Sequence, residues 1–404
     1  NIPLQKSFDE TDISNGDGVG YNQRTEVYNF LVSELEAVIP VLEGLPVSND
    51  NSRFNEWSAK MLLAKLYLNE NVYTTTPSNG TYKAASSAAL GRVVTLTTDV
   101  IDNGGFALNA DYFANFDGNS IGSSENIFVI VFDQVFSGGM NINMRTLHYG
   151  SQDTYNFTAQ PWNGYCTLQE FYATFDGATD KRFGDITYGD PGWTGETVGN
   201  ADRNTSNRAM FVVGPQFSSA GDPINDDSQY DEPDGAPLIF TPYVNEIGPA
   251  AWRQAGARIG KFVFEQGATD NMNNDYPVFR LADAYFMRAE ASWQLGSGDP
   301  TGDLNAVAAQ RYTTGSLPAG FTLSDDSRFG NHLLGERARE FAFEYWRRND
   351  LIRFGRYNEP WWGKGAGGDA TSASPPVFGD NAVYTQIFPI PREVLETNPA
   401  INQN

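Results

Sequence analysis

LLGERAREFAFEYWRRNDLIRFG, residues 333–355, is the stretch whose reading decides the fold. Its apolar residues Leu334, Ala338, Phe341, Ala342 and Tyr345 recur three and four apart, which places them on one face of a helix. Among them stand Glu336, Arg337, Arg339, Glu340, Glu344, Arg347, Arg348, Asp350 and Arg353. Acids and bases three and four apart can pair across successive turns. Gly355 supplies a stop after an arginine-rich last turn. The spacing therefore predicts one scaffold helix braced by an ion-pair lattice. Glu340 and Glu344 could also be paired as acid and base, but two acids one turn apart are common on helices and carry no distinctive catalytic signal.

Working outward, the chain divides by texture. Helical periodicity is strong from Arg24 to Leu42, from Asn55 to Asn69 and from Lys83 to Ile101. The last of these uses Ala85, Ala88, Ala89, Val93 and Val100. It returns from about Val278 and again over Gly302–Arg311. A short proline-bounded helix is expected in PIPREVLETNP near the end. Between Gly104 and Asp275 glycine, asparagine, aspartate and proline become dense. Asn126–Phe132, Ala209–Val213 and Gly260–Phe264 read as short strands there. A segment this long with little regular structure is usually functional.

Composition excludes several classes. The 404 residues carry a formal charge of −23, with 19 % charged and 13 % aromatic residues. That describes a folded chain without the basic face that nucleic acid requires. Its single cysteine, Cys166, allows no intrachain disulfide; beside aromatics in NGYCTLQEF it reads as a buried, inert thiol. His148 and His332 are too few and too far apart for a zinc cluster. No apolar run is long enough to span a membrane. GDGVG at 16–20 lacks the dinucleotide spacing. GKGAGG at 363–368 lacks the Ser or Thr of a phosphate loop. The acidic loop Asn225–Asp234 could hold a structural calcium ion through its oxygens, although it does not match EF-hand spacing. No other cofactor is expected.

Three segments, in order, resemble signatures of the SusD/RagB-like family of Bacteroidetes surface glycan-binding lipoproteins. They are Asp275–Gly296 (DYPVFRLADAYFMRAEASWQLG), the string ERAREFAFEYWRRNDLIRFG ending at Gly355, and Phe388–Asn404 (FPIPREVLETNPAINQN). The resemblance implies a mostly α fold of tetratricopeptide-like stacked helical hairpins with a large loop-rich insertion containing short strands. It implies a single domain over residues 1–404, with a scaffold at 20–104 and 276–358 and a ligand-binding region at 105–275 and 359–385. It further implies non-catalytic binding of oligo- or polysaccharide at the cell surface of the outer membrane. Delivery would be to a SusC-like TonB-dependent transporter. The lipid anchor, with some N-terminal sequence, would lie outside this chain. A peptide or another nutrient on the same scaffold is the alternative; a glycoside hydrolase, which needs only two suitably separated carboxylates, is a more distant one.

The residues for such binding are read from composition and position. A sugar offers an apolar face of C–H groups and a rim of hydroxyls. It stacks on an exposed ring while nearby amides and carboxylates bind the rim. Trp57, Trp293 and Trp346 sit on helix faces and read as core. Trp162, Trp193, Trp252, Trp361 and Trp362 fall in Gly/Pro-rich loops, with Asn163, Arg253, Gln254 and Asp369 beside them as rim partners. Each tryptophan could instead simply plug its own loop.

Overall fold

A computed structural model describes residues 23–45, 51–75, 84–118, 120, 122–183, 209–226, 235–242, 244–245, 251–359 and 383–397. The first helices are α1 (Arg24–Leu42), α2 (Glu56–Leu68), α3 (Glu70–Thr74) and α4 (Ser87–Asn103). The strand β1 (Asn126–Ile130) follows, then α5 (Ile142–Thr146), α6 (Ser151–Tyr155) and α7 (Gln169–Tyr172). Six two-residue strands come next: β2 (Phe211–Val212), β3 (Gly214–Pro215), β4 (Asn225–Asp226), β5 (Ala236–Pro237), β6 (Ile239–Phe240) and β7 (Arg258–Ile259). The chain continues with β8 (Tyr276–Arg280), α8 (Leu281–Leu295), α9 (Pro300–Arg311), α10 (Leu333–Glu340), α11 (Arg347–Arg353) and α12 (Arg392–Thr397).

The long helices stack in one row: α1 on α2, α2 on α4, α4 on α8 and α8 on α9. The helix α2 lies between α1 and α4, and its Ala59, Met61, Leu63, Ala64, Leu66 and Leu68 are all buried. Small and large residues alternate there, which lets helices on either side approach. Its start is fixed by Asn55, whose side chain accepts the Ser58 N–H at 3.0 Å. One apolar cluster joins α1, α2, α4 and α8 with Ile127 and Phe279 from the two long strands. A smaller one joins α8, α9, Leu333 and Phe341. Trp57, Trp293 and Trp346 pack partly buried against these clusters, as expected of core.

Outside the stack the described chain is built from turns, short helices such as α5, α6 and α7, and four two-stranded antiparallel ladders, β1–β8, β2–β7, β3–β6 and β4–β5. Its core is rich in aromatics; Phe211 meets Phe171, Phe175 and Phe343 edge to face. This is a mostly α fold with few short strands, in agreement with the sequence reading.

Several boundaries differ from that reading. The helix α4 begins at Ser87, because Ser86 caps it by accepting the Ala89 N–H. Ala88 faces solvent, and Leu90 and Leu96 fill the buried face instead. The expected strand at Gly260–Phe264 is displaced to Arg258–Ile259, where the partner Phe211–Val212 lies. No helix runs through Val278: Tyr276–Arg280 is a strand on β1, and its alternating burial shows the period of two. Cys166 is exposed, not buried; its flanking Tyr165 faces outward as well.

The stretch at 333–355 is not one helix. It is α10, an irregular turn over residues 341–346, and α11. Phe286 of α8 is fully buried and meets Phe341, at the end of α10, edge to face at 5.4 Å. Truncating it should open a cavity where the stack meets the turn. Phe286→Ala is expected to cost about 3–5 kcal/mol, read as a shift of the denaturant midpoint without change in its slope.

Candidate functional site

The break follows from what α10 buries. All eight of its residues are inaccessible, including Glu336, Arg337, Arg339 and Glu340. Only two of the ion pairs in this stretch are local, Arg339–Glu336 and Arg353–Asp350. Arg337–Asp350, at 3.1 Å, joins α10 to α11, and the others reach to distant elements. Glu340 receives Arg280 at 3.0 Å, Arg311 at 3.1 Å and Arg182 at 3.1 Å. Arg280 and Arg311 also share Glu125, at 2.6 and 2.7 Å. Arg182 spans Asp180 and Glu336, both at 2.8 Å. One knot thus ties the end of β8, the end of α9, the residue before β1 and α10 together.

Burial alone would push the Glu340 carboxyl up. The guanidiniums of Arg311, Arg280 and Arg182 overcome that and hold it well below the usual carboxylate range. A carboxylate so held cannot deliver a proton near neutral pH, and with Glu344 equally enclosed the pair has no access to a substrate.

The helix ends because the next carbonyls are claimed by side chains. Tyr112 Oη donates to Glu340 O at 2.7 Å, Lys261 Nζ to Ala342 O at 2.8 Å and Tyr276 Oη to Glu344 O at 2.5 Å. The Glu344 carboxylate takes Lys261 at 2.6 Å and Arg280 at 2.7 Å. Burial lowers the Lys261 ammonium from 10.5 to about 8, against the pull of Glu344. Within this grip Phe343 and Tyr345 adopt left-handed backbone, φ 60° and 62°. Such residues cost on the order of 1–3 kcal/mol each and persist only where the surroundings over-determine them. The result is that Tyr345 is turned out of the fold with 74 % of its surface exposed.

Tyr345 stands over a shallow apolar groove of about 260 Å³ with Tyr276, Ile130, Phe132, Met140 and Arg145 in its walls. The two tyrosine rings lie 6.1 Å apart. Arg145 is anchored by Asn141 Oδ1 at 2.6 Å and sits over Trp162 and Tyr165, 5.6 and 5.7 Å from the ring centres. It also donates to Tyr165 Oη at 3.2 Å. Trp162 and Tyr165 are 47 % and 41 % exposed. Their loop is pinned to α5, since Trp162 N–H donates to Met144 O and Tyr165 N–H to Arg145 O, both at 2.6 Å. Three exposed rings are therefore arranged around one guanidinium on fixed backbone.

The sequence-based residues fall unevenly about this surface. Trp162 belongs to it. Asn163, with φ 55°, donates to Arg253 O at 3.0 Å and so links the two loops. Arg253 extends over the Tyr149 ring at 5.4 Å and lines a separate polar pocket. Trp252 is half buried against Val244 and Ala255, plugging its own loop. Gln254 is buried and accepts the Ile239 N–H at 3.2 Å, an architectural role. Trp193, Trp361, Trp362 and Asp369 lie outside the described residues, as does the acidic loop beyond Asp226. Among the described residues no cluster of three or more His, Cys, Asp or Glu side chains could hold a metal ion, and no helix is long and apolar enough to cross a membrane.

Sequence reasoning missed Tyr345, Arg145, Tyr165 and Tyr276. A signal for the first was present: Phe341, Phe343 and Tyr345 alternate with a period of two inside a stretch otherwise of helical period, which a helix cannot bury on one face.

A stack of helices thus carries a loop-built aromatic surface, with the ion-pair knot buried beneath it. The SusD family model matches residues 124–404, more than half of the sequence, and the chain belongs to that family. Over 135 residues it is 36 % identical to the starch-binding protein SusD of Bacteroides thetaiotaomicron; this covers 33 % of the chain and 21 % of that protein, so the match spans about a fifth of the relative's length. Its fold is similar to that of a SusD superfamily protein from Bacteroides fragilis (TM-score 0.61, 17 % identity, 100 % of this chain and 74 % of the other). It is likewise similar to surface glycan-binding protein A from Bacteroides thetaiotaomicron, solved with laminarihexaose (TM-score 0.59, 19 % identity, 93 % and 70 %).

The charge knot makes stability pH-dependent with a definite sign. Burial would raise the Glu336 carboxyl, yet Arg182 and Arg339 bring it from 4.5 down to about 2. Its contribution is present above the ordinary value and lost as pH falls toward the folded one. The urea midpoint should therefore fall steadily between about pH 4.5 and 2. A midpoint independent of pH over that range contradicts the assignment.

Proposed function

We propose that this chain binds neutral oligo- or polysaccharide on the aromatic surface formed by Tyr345, Trp162 and Tyr165, without cleaving it. The observation that carries the reading is Tyr345 held outward on strained backbone. An exposed ring on a rigid support offers a sugar face a large contact with few torsions to freeze. Arg145, between the rings, supplies donors for the hydroxyl rim. Glu340 and Glu344, the acids in the stretch that bears Tyr345, are consumed in buried ion pairs, which favours binding over acid–base catalysis. Starch and laminarihexaose, the ligands named for the similar proteins, are neutral glucans, and support the same ligand class here.

By membership of its family the chain would act at the cell surface of the outer membrane, held by a lipid anchor. It would pass its glycan to a SusC-like TonB-dependent transporter. Co-purification of that transporter with the anchored, full-length protein tests this part. Trp193, Trp361, Trp362 and Asp369 remain candidate contacts on the sequence argument alone.

Affinity electrophoresis against a panel of soluble polysaccharides tests the binding. At least one neutral glycan should retard the protein with no release of reducing ends. Tyr345→Ala and Trp162→Ala should each weaken retardation about tenfold, on the order of 1.4 kcal/mol, with unchanged thermal midpoints. Retardation by peptides and by no glycan would overturn the reading, as would wild-type binding by both variants.

A further inference from the structure

Beside the aromatic surface lies a second cavity of about 450 Å³ whose walls include His148, Asp153, Gln160, Asp226 and Arg253. It is built by the same backbone. Residues 148–150 continue directly from the segment that ends α5 and bears Arg145. Asn163, next to Trp162, donates its N–H to Leu147 O at 3.0 Å and its amide to Arg253 O at 3.0 Å. The floor of the pocket is buried. His148 is buried, and its Nδ1 accepts the Gly150 N–H at 3.1 Å. In the neutral ring the proton then sits on Nε2, which faces Asp226 Oδ1 at 3.5 Å. Asp226 is itself buried and is placed there by the β4–β5 ladder. Asp153 and Gln160 are exposed at the mouth.

The chemistry of these walls differs from that of the groove. Arg253 lies over the ring of Tyr149, the one aromatic carbocycle in the pocket's described walls. For the rest, the pocket mixes acceptors on Asp153 and Asp226 with donors and acceptors on Gln160 and donors on Arg253. Both partners of a hydroxyl, which gives and takes a hydrogen bond, are thus present. Two carboxylates against one guanidinium make the described walls unfavourable for an anionic sugar.

We propose that this pocket is a second subsite taking one neutral hexopyranose unit, a chain end or branch, of the glycan whose chain lies on the Tyr345–Trp162–Tyr165 surface. The inference rests on the binding reading above. The aromatic surface supplies contact area, which tolerates many sugars. The polar pocket discriminates, since a site built to bind a hydroxyl rejects a unit lacking it far more strongly than an apolar pocket does.

Isothermal titration calorimetry of the intact chain with maltohexaose, laminarihexaose, a xylogluco-oligosaccharide and trigalacturonic acid tests it. The variants are the doubly substituted Asp153→Ala with Gln160→Ala, and Tyr345→Ala. All three positions are exposed, and circular dichroism checks the fold. The double variant should lose about tenfold in affinity for a neutral probe that the wild type binds. Loss in Tyr345→Ala with wild-type affinity in the double variant overturns the subsite and leaves the aromatic surface standing. Loss in the double variant alone keeps the pocket as a sugar site and overturns the surface. Wild-type affinity in both, or no binding of any neutral probe, overturns both. Tighter binding of trigalacturonic acid than of every neutral probe overturns the neutral assignment.

Discussion

Everything distinctive in this molecule depends on burying Glu340 among three arginines. A buried carboxylate is costly, and ion pairs seldom repay that cost more than a well-packed apolar cluster would. What the arrangement supplies is geometry. Arg280 ends β8, Arg311 ends α9, Arg182 follows Asp180 in the loop-rich part, and Glu125 precedes β1. A slip of any one element would strand a charge without its partner, at several kcal/mol. The helical stack and the loop-rich core are thereby held in one register at a single point.

That register explains the strained turn. Continuing α10 past Glu340 would require the carbonyls of residues 340, 342 and 344 to accept helical N–H groups. They accept Tyr112, Lys261 and Tyr276 instead. Each of those donors comes from outside the stretch. The left-handed conformations at Phe343 and Tyr345 are therefore imposed by the fold and not chosen by local propensity. An exposed tyrosine on backbone so constrained is stiff, which lowers the ordering cost of binding.

The scaffold was legible in the sequence because the long helices carry their apolar residues at helical spacing. Val27, Leu35 and Ile39 fall inward on α1 at helical spacing. Legibility failed where a residue's partner lies far away in sequence. At 333–355 the acids and bases do sit three and four apart, as a surface lattice would, yet Glu340 pairs with Arg182 and Arg280, 158 and 60 residues distant. Tyr276–Arg280 looked helical because it runs into α8, while its strand character comes from β1. Of the loop residues chosen for binding, Trp162 and Trp252 were alike in composition and context. Only the tertiary contacts set them apart, one over Arg145 and open, the other against Val244 and Ala255.

The same distinction bears on how a chain of this fold divides its tasks. The charged groups that look most like chemistry are sealed in the scaffold, where they fix shape. The rings that look like core filler are turned outward by that shape. Arg145 stands between the two roles, held by Asn141 on one side and lying over two exposed rings on the other. Its guanidinium stiffens the surface by stacking, and cation–π contact of this sort is worth about 0.5–1 kcal/mol at an exposed site. That is small against the knot below it. It is comparable to the smaller differences that separate closely similar ligands, so the loop surface can be tuned without disturbing the element that holds it.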